Sequence, residues 1–254
     1  MINTGLVSIS FRKLEAFEII DMTVEAGLDA IEWGGDIHVP HGDLKTAVSV
    51  HEKCLEEQIL CPSYGSYYRV GEYAAPVGEF KKVLNCAVIL EAKTIRVWAG
   101  AKPSTEAEPE YRTAISEELG LLCDIAGERE IGIGLEYHAG TLADEANSVK
   151  MLIESVGRKN LSTYWQPPVG RSHSENLIDI RMLDEYISNI HVFTWRGRER
   201  LELKEGFGDW LEYANALTGD RRRFMMLEFI KEDSIEGFHR DSQTLKELLG
   251  EINQ

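Results

Sequence analysis

The sequence is poor in basic residues, in cysteine and in long apolar runs, and each shortage excludes a class of protein. Its 27 lysines and arginines stand against 43 acidic residues, which gives a formal net charge of −16. A protein that binds duplex nucleic acid needs a basic face, so this charge disfavours nucleic acid as a partner. The four cysteines include no C-x-x-C pair, so the chain has no finger-type metal motif and fits a reducing compartment.

Membrane and nucleotide-binding signals are also missing. No apolar run approaches the roughly 18 residues that a membrane-spanning helix needs. The N-terminus shows no basic segment followed by an apolar one. We therefore expect a cytoplasmic protein with no membrane partner. No G-x-G-x-x-G follows the first strand-like run, which lowers the expectation of a dinucleotide-binding sheet.

What the chain does contain is a regular alternation of short apolar runs and longer amphipathic stretches. Eight runs resemble strands, at residues 4–9, 29–33, 59–64, 94–98, 131–137, 161–165, 189–194 and 224–230. Repeated βαβ units predict a parallel sheet, and eight units in about 250 residues fit a closed barrel. The predicted fold class is therefore α/β, a (β/α)₈ TIM barrel that forms a single domain over residues 1–254.

Local signals predict several helix ends and one long loop. Asp43 and Ser234 are typical N-terminal caps, and Gly27 stands where a C-terminal glycine belongs. The tyrosine-rich stretch 64–76 predicts the longest irregular segment, which would follow the third strand. Two interpretations remain open for this loop, a lid over the site and an ordinary packed loop.

The predicted functional residues stand where strands end, because active sites of such barrels lie at the C-terminal ends of the strands. Glu136 lies at the end of the fifth run, His191 in the seventh and Glu228 in the eighth. Two carboxylates and one imidazole at one mouth are ligands that suit Mn²⁺, Mg²⁺, Co²⁺ or Zn²⁺. A metal would polarise a substrate oxygen while the paired carboxylates move a proton at carbon.

Each candidate ligand also has a structural interpretation. Glu136 can form a salt bridge with Arg96, Glu228 can belong to an ion pair in the core, and His191 can be a hydrogen-bonded core histidine. Glu32 can brace Arg96 or contact the substrate. The candidate substrate contacts are Glu32, Trp33, His38, Arg96, Trp98, His138, Trp195 and Arg196. The tryptophans equally fit plain packing, and Arg196 equally fits a surface charge.

Five segments in this order and spacing resemble the xylose isomerase-like barrel superfamily, in the branch of sugar isomerases, sugar 3-epimerases and inosose dehydratases. They are GLDAIEWGGDIHVP (27–40), GLEYHAGTLADE (134–145), NIHVFTW (189–195), GFGDW (206–210) and MLEF (226–229). The resemblance implies a metal held by a glutamate after strand five, an aspartate after strand six, a histidine in strand seven and a glutamate in strand eight. It carries these roles onto Glu136, His191 and Glu228, with the two glutamates as the acid/base pair.

Strand six departs from the family pattern. Gln166 stands at or near the position of the family's aspartate, in STYWQPP. Its amide oxygen can ligate a hard cation or form a hydrogen bond beside the site, but it carries no charge. We therefore expect Gln166 to weaken metal binding or to change the preferred metal. In GFGDW, Asp209 is expected to cap the seventh helix.

Residues and resemblance together predict a metal-dependent isomerase or epimerase of a small sugar, sugar phosphate or polyol. Two alternatives remain open, a dehydratase of an inosose-like ketone and a barrel that binds a sugar without turning it over. The charge and the sparse ligand set disfavour an apurinic endonuclease of the same fold. Barrels of this kind often associate, so a homo-oligomer also remains open.

Overall fold

Eight parallel strands form a closed ring in the computed structural model, which describes residues 2–218 and 221–252. The ring strands are β1 (Ile2–Val7), β2 (Ile31–Gly34), β3 (Ser63–Arg69), β4 (Thr94–Trp98), β5 (Gly132–Leu135), β6 (Leu161–Trp165), β7 (Ile187–Val192) and β10 (Arg223–Leu227). A separate antiparallel hairpin consists of β8 (Thr194–Arg196) and β9 (Glu199–Leu201). The order around the ring is β1-β10-β7-β6-β5-β4-β3-β2.

A helix follows each ring strand and packs outside the ring. The helices are α1 (Ala16–Ala26), α2 (Leu44–Glu56), α3 (Pro76–Ile89), α4 (Pro109–Gly127), α5 (Ala146–Val156), α6 (His173–Leu183), α7 (Phe207–Ala216) and α8 (Ile235–Ile252). This arrangement confirms the predicted (β/α)₈ barrel. Within residues 2–218 and 221–252, no helix combines the length and apolarity that a membrane crossing requires.

Several predicted helix ends are confirmed, and one is wrong. The Asp43 carboxylate accepts a hydrogen bond from the backbone N–H of Thr46 at 3.1 Å, and Gly27 ends α1 in the left-handed conformation with φ of 65°. Asp209 does not cap α7. The capping position is Gly206, and Asp209 lies within the first turn of the helix.

The predicted loop at residues 64–76 is partly wrong, because β3 continues to Arg69. Its pairing with β4 shifts in register between Gly65 and Tyr68. Tyr67, inside this irregularity, has φ of 55°, a left-handed conformation that is uncommon for a residue other than glycine. The hairpin β8–β9 was absent from the predicted elements.

The inner face of the ring has its own apolar cluster, separate from the large core between strands and helices. It contains Val7, Ala30, Tyr164, Phe224 and Met226. Along β10, Phe224 and Met226 alternate with Met225 and Leu227, which belong to the outer core. Because side chains alternate along a strand, the first set faces the inside of the barrel.

Candidate active site

The inner face of the barrel changes from apolar to polar at the carboxyl ends of the strands. Glu228 follows Met226 by two residues and therefore faces the inside of the barrel, as Met226 does. Gln166 follows Tyr164 by two residues and faces the inside in the same way. The resulting cluster is almost fully enclosed. Relative exposure is 0% for Glu32 and His191, 2% for Arg96, 4% for Glu228 and 5% for Glu136. Buried charges on this scale require partners or a ligand.

Arg96 connects two of the carboxylates. Its Nε donates to Glu32 Oε1 at 2.8 Å, and its Nη1 forms an ion pair with Glu136. Ser63 Oγ donates to the other oxygen of Glu32 at 2.6 Å, and Trp98 Nε1 donates to Glu136. The structural interpretations of Glu136 and Glu32 as partners of Arg96 are therefore both confirmed.

These contacts determine the charge of Glu32. Burial alone would raise its pKa, but the Arg96 guanidinium and His191 outweigh burial and lower the pKa of Glu32 to about 2. Burial alone would lower the pKa of Arg96. Nearby anionic groups, chiefly Glu32, raise this pKa above its ordinary value. Both groups are consequently ionised at neutral pH.

His191 lies between three side chains. Its Nδ1 is 3.1 Å from Gln166 Oε1 and 3.3 Å from Glu228 Oε2, and its Nε2 is 3.5 Å from Glu32 Oε1. Burial lowers the pKa of His191, but Glu228 and Glu32 raise it further, to about 9. In this arrangement the ring is an imidazolium at neutral pH, with N–H groups on both nitrogens.

Three buried polar atoms of the cluster form no hydrogen bond with any residue that the structure describes. They are Glu228 Oε2, Arg96 Nη2 and His191 Nε2. Glu228 Oε2 is near His191, but that contact lacks hydrogen-bond geometry. A buried carboxylate oxygen without a donor is unfavourable in the free protein. The cluster thus offers one acceptor, Glu228 Oε2, and two donors, Arg96 Nη2 and His191 Nε2, to a bound molecule.

Aromatic rings cover one side of the cluster. The Trp98 ring stacks on His138 with centroids 4.9 Å apart, and the Arg69 guanidinium carbon lies over the Trp98 ring, 4.2 Å from its centroid. The Arg96 guanidinium carbon is 5.3 Å from the ring centroid of Tyr67. Trp98 and His138 therefore lie beside the predicted acids.

Ser63, Tyr67 and Arg69 also belong to this site and were not among the predicted site residues, although residues 64–76 were considered as a lid. All three belong to β3, whose second half was predicted as loop. Ser63 offers no sequence signal of its own, since its role depends on Glu32 in the neighbouring strand. The tyrosine-rich composition of the segment was a signal for Tyr67, but not for its position over Arg96.

Two predicted substrate contacts lie on the β2 side, outside the cluster. Trp33 is fully buried and lines a different cavity, of about 330 Å³, together with His51 and Cys54. His38 is buried, and its Nδ1 is 2.9 Å from Ser8 Oγ. Burial lowers the pKa of His38.

Two others belong to the hairpin β8–β9. Trp195 packs against Phe193 and Phe229, with ring centroids 5.5 and 5.1 Å away. The Arg196 side chain is 72% exposed and lies 3.5 Å from Glu205. Arg196 thus has the position of a surface charge.

Two of the four residues expected to hold a metal, Glu136 and Gln166, are bonded within the protein. Glu136 forms an ion pair with Arg96 and accepts a hydrogen bond from Trp98. The Gln166 amide donates to Tyr137 O at 2.9 Å, and its oxygen faces His191 Nδ1. Among residues 2–218 and 221–252, no three His, Cys, Asp or Glu side chains are placed to hold a metal ion together. This donor set does not fit a resident divalent ion, which differs from the expectation for Glu136, Gln166, His191 and Glu228.

Comparisons with known proteins agree with the observed fold. A family model described as a xylose isomerase-like TIM barrel matches residues 20–248. Among curated proteins, a 3-dehydroshikimate dehydratase of Bacillus anthracis is 23% identical over 164 residues, which cover 62% of this chain. The match spans only 59% of that relative's length.

Three solved structures illustrate the likeness. The probable 3-DHS dehydratase of Bacillus anthracis gives a TM-score of 0.80 at 17% identity, over 97% of this chain and 99% of that one. A D-psicose 3-epimerase of Clostridium cellulolyticum H10, solved with D-tagatose, gives 0.68 at 11% identity, over 98% and 97%. A barrel protein of Mycobacterium smegmatis, solved in complex with magnesium, gives 0.73 at 15% identity, over 97% and 96%. At these identities the likeness shows the fold.

Proposed function

The chain belongs to the xylose isomerase-like TIM barrel family, and on that premise we propose that it is an enzyme that moves a proton at carbon. The substrate would be a small hydroxylated carbonyl compound, such as a sugar or an oxidised polyol. The reaction would be an isomerisation or an epimerisation. An epimerase among the structural neighbours supports this reaction class.

The observation that carries the proposal is the buried, unpartnered oxygen of Glu228 beside two cationic groups. A general base needs a free oxygen within reach of the substrate. His191 is 3.3 Å from that oxygen, and the Arg96 charge acts on the same cluster. N–H groups fixed where negative charge develops stabilise the transition state of such a reaction.

In the proposed reaction, Glu228 takes the proton from the carbon next to the carbonyl. The C–H bond breaks, and its electron pair moves toward the carbonyl oxygen, which becomes an enolate. The N–H groups of Arg96 and His191 donate to that oxygen. In an isomerisation, Glu228 returns the proton to the former carbonyl carbon while the proton of the neighbouring hydroxyl passes to the enolate oxygen. In an epimerisation, Glu136 acts in its protonated form and gives its proton to the opposite face of the same carbon, and the abstracted proton stays on Glu228 until it passes to solvent. No step runs through a metal ion, because Glu136 and Gln166, two of the four residues that would hold one, are bonded within the protein.

Proton exchange in D₂O tests the proposal. The chain would be incubated with a panel of ketoses and oxidised polyols, and deuterium at carbon would be measured by NMR. We expect Glu228→Gln to lower the exchange rate by at least about 100-fold, the usual contribution of a general base. The exposed Glu117→Gln is the matched control and should leave the rate unchanged. Equal exchange rates in Glu228→Gln and the control would contradict the proposal.

A dehydratase is the second candidate, and the curated relative and one structural neighbour with that description favour it. Its first step is the same proton abstraction, after which a hydroxyl group on the next carbon leaves as water. Mass spectrometry of the product distinguishes the two, because only the dehydratase product has lost water. Sugar binding by calorimetry with neither exchange nor mass loss would instead indicate a binding protein.

A further inference from the structure

The position expected for a metal ion is bordered by the Arg96 guanidinium. Of the four predicted donors, Glu136 is bonded through Oε2 to the guanidinium itself, and Gln166 is bonded to Tyr137 and lies beside His191. The fully buried atoms of the four that form no hydrogen bond among the described residues are Glu228 Oε2 and His191 Nε2. Among residues 2–218 and 221–252, no three His, Cys, Asp or Glu side chains are placed to hold an ion together, whereas a dedicated divalent site uses three or four protein ligands.

We infer that the Arg96 guanidinium replaces a divalent metal ion in this barrel, as the fixed positive charge that binds the substrate's oxygen. This role rests on the proposed function, which supplies the oxygen to be bound. Arg96 Nη2 is buried without a hydrogen-bond partner among the residues described, so it remains able to donate. A guanidinium presents its donors in a planar fork, which suits adjacent oxygens of a hydroxylated substrate.

The β3 strand is shaped around this guanidinium. A Cβ at Gly65 would lie 2.7 Å from Arg96 Nη2 and 2.9 Å from Glu32 Oε1, so only glycine leaves room for the pair. Beyond Gly65 the register shifts and Tyr67 takes a positive φ, which places its ring over Arg96 at 5.3 Å. Such a conformation persists only where the surroundings impose it. The cation thus has a fixed position, as a bound metal would.

Gln166 and Arg96 both affect how strongly the site attracts a cation, and they act in the same direction. Gln166 contributes no charge beside His191, and Arg96 contributes a positive charge beside Glu136. Both features weaken the attraction for a second cation. In a buried site this effect is large, because charges interact strongly where water is excluded.

Metal content of the purified chain tests the inference without any substrate. Elemental analysis after dialysis should find no stoichiometric Mn, Mg, Co or Zn. Titration followed by electron paramagnetic resonance should show no specific Mn²⁺ binding up to about 1 mM, a concentration that fills dedicated sites. A wild-type chain that binds one ion tightly, and loses it in Glu136→Gln, would overturn the inference.

Two variants test the roles of Arg96 and Gln166. The double variant Arg96→Met with Gln166→Asp should gain Mn²⁺ binding by about 100-fold over wild type, because it restores a charged ligand and removes the cation. Gln166→Asp alone should gain little, since Arg96 is still present. Tight binding by Gln166→Asp alone would overturn the inference, as would a folded double variant that gains nothing. Arg129→Met, with Gln166→Asp, is the matched control for loss of an exposed arginine.

These outcomes are independent of the proposed reaction. Failure to find proton exchange or product in any assay would remove the proposed function but leave the metal measurements unaffected. Tight metal binding by the wild-type chain would remove the role of Arg96 and leave proton transfer by Glu228 standing. In an active preparation, EDTA should not change the exchange rate.

Discussion

The Arg96 side chain has a central position in the candidate active site. Two carboxylates from different strands, Glu32 and Glu136, share its guanidinium. Removing one member of a buried ion pair leaves an uncompensated charge and is strongly destabilising. The same contact also occupies Oε2 of Glu136, one of the oxygens expected to bind a metal, so stability and chemistry both depend on this residue.

Gly65→Ala is expected to disturb the site from within β3. The new Cβ would lie within 3 Å of both Arg96 and Glu32, which are buried and bonded to each other. We expect destabilisation of about 1–3 kcal/mol, as for other overpacked cores, with loss of proton exchange. Urea denaturation measures the first effect and the D₂O assay the second.

Gly120→Ala is the matched control. Gly120 lies inside α4, and a Cβ there would meet nothing within 4 Å. Alanine should therefore stabilise the chain by about 0.5–1 kcal/mol. If Gly65→Ala were as stable as Gly120→Ala and equally active, the close approach of Arg96 to β3 would have no energetic importance.

At the residue scale, the sequence predicted which residues lie at the C-terminal end of the barrel better than it predicted their hydrogen bonds and ion pairs. Glu32, Arg96, Glu136, His191 and Glu228 all come together at the mouth. The alternation of side chains along a strand and the position of each strand end suffice to predict this grouping, because a closed barrel has few positions at the C-terminal ends of its strands. Which donor binds which acceptor depends on rotamers and on strand register. These are set by contacts between distant segments, so the sequence left salt bridge and metal ligand as open alternatives.

Strands were predictable to different degrees. The bounds of β4 and β6 agree with the predicted 94–98 and 161–165, because both are compact runs of β-branched and aromatic residues. In β3, the polar and tyrosine-rich second half resembles a loop, and only pairing with β4 holds it extended. The hairpin β8–β9 was missed because its strands have three residues each, too few for an alternating pattern.

Asp241 makes the junction between α8 and the turn before α7 sensitive to pH. Its Oδ1 accepts from the backbone N–H of Leu203 at 2.8 Å. Burial raises its pKa from 3.8 to about 6. Because the folded pKa is the higher one, this group contributes stability fully below 3.8, and the contribution is lost as pH rises through about 6.

Asp241→Asn should therefore be more stable than wild type at about pH 8, by roughly 2 kcal/mol, since asparagine keeps an acceptor without a charge. The difference should disappear below about pH 4, where the aspartate is protonated in both states. Thermal unfolding across this range measures it. A variant less stable than wild type at the higher pH would show that the ionised form is the favoured one.

For the molecule as a whole, the charge of −16 implies self-repulsion of the folded state. Raising NaCl from about 10 to 200 mM shortens the Debye length to roughly 7 Å and should raise Tm by about 2–5 °C. Most exposed ion pairs contribute little, so their screening should not reverse the effect. A fall in Tm with salt would mean that attractive pairs dominate the surface.

The ring is completed by the pairing of β1 with β10, in which Ile2 lies opposite Arg223. β1 and β10 are the first and the last ring strands in chain order, so during synthesis β1 has no second neighbour until β10 has emerged. Pairings of such long sequence separation form slowly, and unpaired strand edges invite association. A chaperone that shields β1 during translation would therefore affect the yield of this protein more than it would affect the stability of the finished fold.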